Sequence, residues 1–249
     1  MRFRCTSTTR RFAASSRKMK IAIAWAIGLA GCSETDVTTV DCNDVAQLVA
    51  GSTSIDIAAM ADVVTLSQGD LVDGFTLDAG VFSGTRLQID YSYMITCVDA
   101  GGTTLATCGG TTDTADVSYT WAGSIALPTI GATITREGNW TIRGLQSTTA
   151  QLVGNATFVD DATIAGSSYH FDSTATYAAI AIDVASQAAT GGTITLDVDA
   201  TRQESSGAVS FTVPATVVIG SGSARINVDN AFDYTTDFAT GSATSAGSP

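Results

Sequence analysis

The sequence predicts an all-β protein, and two observations carry that prediction. From Arg86 onward, apolar and polar residues alternate with a period of two, which is the pattern of a half-buried strand. Gly recurs between these segments, and 21 of the 24 acidic residues are Asp, which suits turns better than exposed helix. Short connections and one-sided patterning favour antiparallel pairing. We therefore expect an antiparallel β-sandwich or a barrel-like meander of long strands, with one or two short N-terminal helices.

The predicted elements follow in chain order. Asn43 is a candidate N-cap for a short helix over residues 44–50 that stops at Gly51, and residues 57–66 form a second candidate helix. Long strands are predicted from Arg86 to the C-terminal region. Their approximate ranges are 86–97, 117–127, 132–136, 140–143, 151–158, 169–177, 180–184, 193–201, 209–219 and 225–234.

The first 31 residues have the layout of a secretory signal. Residues 1–20 contain seven basic side chains and no acid, and an apolar stretch of eleven residues follows at 21–31. That stretch is shorter than the roughly 20 residues that a bilayer-spanning helix needs, which favours cleavage over a permanent anchor. Either Met1 or Met19 can be the start, because the segment from Met19 would by itself begin a compact signal.

The residues Leu29-Ala30-Gly31-Cys32 resemble the lipobox of bacterial lipoproteins. The resemblance covers the leader alone, and no family is recognised for the rest of the chain. It implies that Cys32 receives lipid, such as palmitate, and becomes the mature N-terminus. Ser33, rather than Asp, follows the cysteine, which by analogy with lipoprotein sorting favours the outer membrane over the inner one. The domain organisation expected is a signal peptide (1–31), a lipidated tether (32–41), one β-rich domain (42–237) and a disordered tail (238–249).

Residues 32–249 are strongly acidic. They contain five Arg, no Lys and all 24 acidic residues, so their formal charge is −19. Such a body repels phosphate groups, and no nucleic-acid partner is expected. The partners expected are the membrane, through the N-terminal lipid, and an envelope protein or polysaccharide.

Three cysteines lie in the body of the chain, and an exported protein meets oxidising conditions. Cys97 and Cys108 flank a segment that contains Gly101-Gly102 and is typical of a hairpin, so a Cys97–Cys108 disulfide is predicted. Cys42 is then unpaired, although it could instead pair with either of the other two, and the sequence does not decide between these arrangements.

The search for chemistry produces no catalytic residue, metal site or cofactor. The chain has one histidine, His170, which shares a strand face with Ser168 and Asp172. Residues two apart on a strand lie side by side, without the approach that a catalytic triad needs, so a surface histidine is expected. Asp-rich segments at 70–74 and 229–233 match no calcium loop and are expected to be solvated turns. Trp121 and Trp140 are expected in the core rather than in a sugar-binding platform.

The leading functional prediction is a non-enzymatic, lipid-anchored structural or binding module of the bacterial envelope. The alternative is a barrel or sandwich that carries a small apolar ligand, and an envelope hydrolase comes third. A deep apolar pocket would favour the carrier. Carboxylates that converge in a cleft would favour the enzyme.

Overall fold

The structure is a computed structural model that describes residues 37–127, 130–205 and 207–246. The predicted signal peptide, Cys32 and the first part of the tether lie outside the described residues. The described parts of the chain contain one helix and twelve strands, so the all-β prediction is confirmed. The elements are α1 (Thr39–Ser67), β1 (Phe75–Asp78), β2 (Val81–Arg86), β3 (Ile89–Asp99), β4 (Thr112–Leu127), β5 (Ile130–Arg143), β6 (Thr149–Ile164), β7 (Ser167–Asp183), β8 (Ala188–Glu204), β9 (Gly207–Ile219), β10 (Ser223–Val228), β11 (Phe232–Asp237) and β12 (Ser242–Ser245).

The strands form one antiparallel sheet in the described residues, and their order in the sheet is their order in the chain. Each strand pairs with the next, as in the register Trp121↔Arg136 between β4 and β5 and Trp140↔Gly154 between β5 and β6. This arrangement is the meander that the sequence predicted as one alternative. A sandwich of two sheets is not formed.

Side chains alternate between a buried and an exposed face of the sheet. In β6, for example, Leu152, Phe158 and Ile164 are buried while their neighbours along the strand are exposed. The buried face packs against helix α1, which contacts β3, β4 and every strand from β8 to β12. The core therefore lies between one helix and the inner face of one sheet.

Residues 44–50 and 57–66 are helical, but the prediction that they form two short helices is wrong, because both belong to one helix of 29 residues, α1. Its N-cap is Thr38 rather than Asn43. Thr38 and Asp41 form a capping box: the Asp41 N–H donates to Thr38 Oγ1 (3.2 Å), and the Thr38 N–H donates to Asp41 Oδ2 (3.0 Å). The helix ends at Ser67, and Gly69 follows with φ +90°, a conformation that glycine adopts without strain.

Helix α1 passes through Gly51 because packing, rather than intrinsic propensity, stabilises it. An interior glycine costs about 1 kcal/mol relative to alanine. Buried residues such as Val45, Leu48, Met60 and Val63 surround that position along the helix, and each is at most 1% exposed. A helix that is apolar on most sides is typical of a protein core.

The length and composition of α1 would also allow it to cross a membrane. However, 67% of its most apolar window is buried inside the protein. The core helix of a folded domain passes the same test of length and composition. The packing against the sheet accounts for the apolar character of α1.

Four further features differ from the prediction. The helix starts at Thr39, inside the segment expected to be tether, and β12 lies inside the segment expected to be a disordered tail. The segments predicted at 132–136 and 140–143 are one strand, β5, and those at 169–177 and 180–184 are joined in β7 apart from Val184. In β7, a register shift between Ala178 and Ala181 breaks the alternation without ending the strand.

Aromatic rings lie close to two glycines on the inner face of the sheet. A Cβ at Gly138 would lie 2.7 Å from Tyr119 Cζ, and a Cβ at Gly154 would lie 2.7 Å from Trp140 Cδ1. Glycine inside a strand often marks a place where another group approaches the backbone closely. The register of β6 against β7 also shifts between Leu152 and Gly154. The pairing is therefore irregular beside Trp140, one of the largest buried side chains.

The predicted disulfide is present. Cys97 and Cys108 are bonded, with their Cα atoms 5.3 Å apart, and Cys42 is free and fully buried. The intervening segment turns as expected, with the Gly102 N–H donating to the Asp99 carbonyl (3.0 Å). The loop packs on the end of α1, because a Cβ at Gly69 would lie 2.9 Å from Gly109 Cα.

Gly154→Ala tests whether close packing excludes a side chain at that position. The new Cβ would overlap the Asn139 backbone carbonyl oxygen and the Trp140 ring, so we expect the free energy of unfolding to fall by about 1–3 kcal/mol. Gly131→Ala in β5 is the matched control, since no described heavy atom lies within 4 Å of the added Cβ. Urea unfolding of both variants measures the difference. Equal effects at the two positions would show that close packing does not restrict Gly154.

Candidate functional site: a cleft beside the central helix

A cleft of ≈ 760 Å³ opens beside helix α1, a volume typical of small-molecule sites. One side of it is the middle of the helix. The other sides come from the β2–β3 turn, the end of β4, the β7–β8 turn and the β11–β12 turn. The lining residues are Gly51, Ser54, Ile55, Ala58, Ala61, Asp62, Arg86, Leu87, Gln88, Ile89, Tyr91, Ser124, Ile125, Ala126, Gln187, Phe238, Ala239, Thr240 and Gly241.

The cleft exists because the helix presents small side chains to it. Gly51, Ser54, Ala58 and Ala61 are spaced three or four residues apart and therefore lie on one face of α1. A face of small residues leaves space where larger side chains would fill the core. The remaining helix surface packs on the sheet with larger residues.

Helix α1 also occupies the position beside the last strand of the sheet. The Gln47 side-chain amide donates to the Ala243 carbonyl (2.7 Å), and its oxygen accepts from the Ala243 N–H (3.2 Å). These are the bonds that a neighbouring strand would form. The helix thereby satisfies part of the β12 edge, which would otherwise be open to pairing with another chain.

The charged lining residues of the cleft form one ion pair. Arg86 Nη1 donates to Asp62 Oδ1 (2.9 Å), Arg86 Nη2 lies 2.9 Å from Asp62 Oδ2, and the guanidinium lies 5.8 Å from the centre of the Tyr91 ring. Burial raises the pKa of Asp62, and Arg86 opposes that change. Because the two charges offset each other, the cleft is electrically neutral in a strongly acidic chain.

The β2–β3 turn at the rim is strained. Leu87 (φ 52°) and Gln88 (φ 67°) both have left-handed backbone conformations, which usually require Gly or Asn in a two-residue hairpin turn. The Gln88 carbonyl accepts the Ser124 N–H (3.1 Å), which holds the turn against β4. Leu87 is 83% exposed. Leu87 therefore places an exposed apolar side chain at the rim of the cleft.

A second group of polar residues is sealed between α1 and the sheet. Arg136 donates to the Asp56 carboxylate and to Ser52 Oγ (2.5 Å), and Tyr177 Oη donates to Asp56 Oδ2 (2.9 Å). The Arg136 guanidinium lies 4.1 Å from the centre of the Phe158 ring. Burial raises the pKa of Asp56, although Arg136 and Tyr177 favour its ionised form. The side chains of Arg136 and Asp56 are only 3% and 5% exposed, so this pair is structural.

Arginine–aspartate pairs hold the helix at its start, middle and end. The pairs are Arg202–Asp41, Arg136–Asp56 and Arg86–Asp62. These pairs were not predicted from the sequence, because no partner was assigned to the aspartates of residues 39–67. A usable signal was present, since Arg136 lies at an inward position of an alternating strand.

Asp160 is a buried carboxyl group without hydrogen bonds in the described residues. It is fully buried, and within the described residues neither of its carboxyl oxygens has a hydrogen-bond partner. Burial raises its pKa to about 6, with Arg136 opposing the change. The strand places Asp160 inward and Asp161 outward, where Asp161 contacts His170.

His170 lies on the outer face of the sheet with 45% of its side chain exposed. Its Nδ1 is 2.8 Å from Asp161 Oδ1, and its Nε2 is 3.5 Å from Asp172 Oδ2. The hydrogen bond with Asp161 raises the pKa of His170. Both ring nitrogens face carboxylates rather than Ser168, so this geometry gives no nucleophile–base pair.

The remaining candidates from the sequence are accounted for by packing and turns. Trp121 and Trp140 are each 1% exposed, and the Tyr119 ring lies 5.0 Å and 4.2 Å from them, so the core prediction is confirmed. Asp229 lies in the β10–β11 turn, and Asp233 contacts Arg225 (2.9 Å). In the part of the chain that the structure describes, no group of three or more His, Cys, Asp or Glu side chains is placed to hold a metal.

Comparison of the chain with protein-family models, curated proteins and solved structures found no match. Function is therefore inferred from the geometry of the chain itself.

Asp56→Leu tests whether the central ion pair holds the helix. The variant leaves Arg136 buried without its partner, and we expect the free energy of unfolding to fall by about 3–5 kcal/mol. The double variant Asp56→Leu/Arg136→Met removes both charges and should recover most of that loss. Urea unfolding of both variants and of Arg136→Met completes the cycle. Additive losses in the double variant would contradict the pairing.

Asp160→Asn tests the buried carboxyl. A raised pKa means that the folded state favours the protonated form, so ionisation weakens the fold as pH rises from about 4 to about 6. The variant should therefore gain up to about 3 kcal/mol over the native protein at pH 7.5, and the difference should fade near pH 4. Unfolding at both pH values measures it, with the exposed Asp161→Asn as control. A gain that is the same at both pH values would exclude ionisation of Asp160 as the cause.

Proposed function

We propose that this protein is a non-enzymatic binding module held at the bacterial envelope by lipid on Cys32. The leader supports the anchor through its basic segment, its short apolar core and the lipobox-like residues Leu29-Ala30-Gly31-Cys32. With Ser33 after the cysteine, the outer membrane is the proposed location. The proposed partner is an envelope protein or polysaccharide.

One observation carries the non-enzymatic part of the proposal. Asp56 of α1 and Asp160 of β6 are buried carboxyl groups, whereas the charged residues among the described lining of the cleft beside α1 are Arg86 and Asp62, which pair with each other. A hydrolase would need a carboxyl or nucleophile with a suitable pKa that substrate can reach. The rest of this lining is uncharged and mainly apolar, which is suited to binding.

The spacing between the anchor and the domain supports a position close to the bilayer. Only residues 33–37 separate Cys32 from the helix cap at Thr38, so the two Cα atoms can be at most about 22 Å apart in a fully extended chain. The formal charge of −19 over residues 32–249 disfavours direct adsorption to anionic lipids. A covalent lipid would overcome that repulsion.

The cleft favours a second candidate, the carrier of a small apolar ligand. Helix α1 occupies the space against the inner face of the sheet, so a ligand would bind beside the helix rather than in a barrel interior. This candidate differs from the binding module in its partner, a small molecule instead of an envelope polymer.

Intact mass spectrometry of the protein purified from its host membrane tests the anchor. We expect the loss of residues 1–31 and added acyl mass on Cys32. Cys32→Ser is the control and should leave the protein without acyl mass and extractable from membranes without detergent. A native N-terminus at Met1 or Met19, or a mature protein without acyl mass, would overturn the anchor.

A further inference from the structure

The cleft beside α1 forms a trough along the helix. Its helical side runs from Gly51 to Ala61 along one face, which corresponds to about 15 Å of helix. Its volume of ≈ 760 Å³ falls within the usual range for a single small ligand. A trough of this length can accommodate an alkyl chain laid along the helix.

The surfaces along the trough are apolar. Ile55 and Ala58 of the helix face Ile89, Ile125 and Phe238 across the cleft. Transfer of an alkyl chain from water to such a surface is favourable by about 0.8 kcal/mol for each buried CH₂ group. Leu87 extends this apolar lining to the rim, where it is 83% exposed.

The charges of the lining residues determine which head group of an amphiphile the cleft can accept. Arg86 is already paired with Asp62 through two contacts of 2.9 Å, so it is not a free cation for an anionic head group. The surrounding chain is acidic and repels anions. Uncharged hydrogen-bonding groups remain in the lining, namely Ser54, Gln88, Ser124 and Thr240, and these can bind hydroxyl groups.

We infer that this cleft binds the alkyl chain of a free single-chain amphiphile with an uncharged, hydroxyl-bearing head group. The chain lies along the small face of α1, and the head group lies near Gln88 and Ser124. The inference deepens the proposed function by naming a ligand class for the binding module. It does not depend on the lipid at Cys32, so the two proposals fail separately.

Photo-crosslinking tests the inference on the full exported protein in phosphatidylcholine vesicles. The probe is a dodecyl maltoside analogue with a diazirine on the alkyl chain, and labelled peptides are mapped by mass spectrometry. We expect labelling on the peptides that contain Ser54–Asp62 and Leu87–Ile89. Unlabelled dodecyl maltoside should compete at least ten times more effectively than dodecanoate.

Two variants and a matched control localise the binding. Ala58→Trp fills the trough and should reduce labelling of these peptides at least tenfold. Leu87→Asn should reduce labelling several-fold. Asparagine is suited to the left-handed backbone at that position, so this variant keeps the test valid if Ala58→Trp does not fold. Leu77→Asn changes a leucine in β1 that is 53% exposed and outside the cleft lining, and it should have no effect.

The inference is overturned if labelling spreads over the outer face of the sheet or if dodecanoate competes equally well. It is also overturned if labelling is unchanged in Leu87→Asn and in folded Ala58→Trp. Labelling of the cleft only in the Cys32→Ser protein would assign the site to the chain's own anchor and would overturn a free ligand. If the cleft is labelled but Cys32 carries no acyl mass, the proposed lipid anchor is overturned and the proposed binding site is supported.

Discussion

The ion pair between Arg136 and Asp56 fixes the middle of helix α1 against the inner face of the sheet. It is enclosed by Ser52, Tyr177 and the Phe158 ring, so nearly all of its polar contacts come from the protein. A buried pair of this kind contributes little net stability over an apolar replacement, but a shifted helix would leave both charges unpaired. The pair therefore selects one position of the helix along the sheet, and the pairs at Asp41 and Asp62 act in the same way at its ends.

The cleft is a consequence of that position. Once the helix is fixed, its large side chains pack on the sheet and its small face, from Gly51 to Ala61, is directed away from the main core. The Tyr119 and Trp140 rings lie against Gly138 and Gly154 on the inner face of the sheet. The side of the helix that faces the sheet is therefore closely packed and stabilises the domain. The side with small residues leaves the cleft open to a ligand.

Much of the fold could be predicted from the residues. The alternation at 86–97 identified β3, the Gly101-Gly102 turn identified the Cys97–Cys108 disulfide, and Trp121 and Trp140 were placed in the core. Each of these is local: a period of two, a short turn or a large apolar side chain is visible within a few neighbours in the chain. The cleft was not predictable in this way, because its residues come from five separate segments of the chain. In addition, Gly51, which belongs to the small face of α1, was interpreted from the sequence as the end of a helix.

The sequence by itself determined the all-β class and the acidic composition of residues 32–249, and it predicts lipid attachment at Cys32. Only the tertiary structure decided that residues 39–67 form one helix, that Asp56 and Asp160 are buried while Asp161 is exposed, and that the cleft is apolar and neutral. The physical reason is that burial and charge pairing depend on contacts between residues far apart in the chain. Arg136 and Asp56 are separated by 80 residues, and no local pattern indicates that they meet.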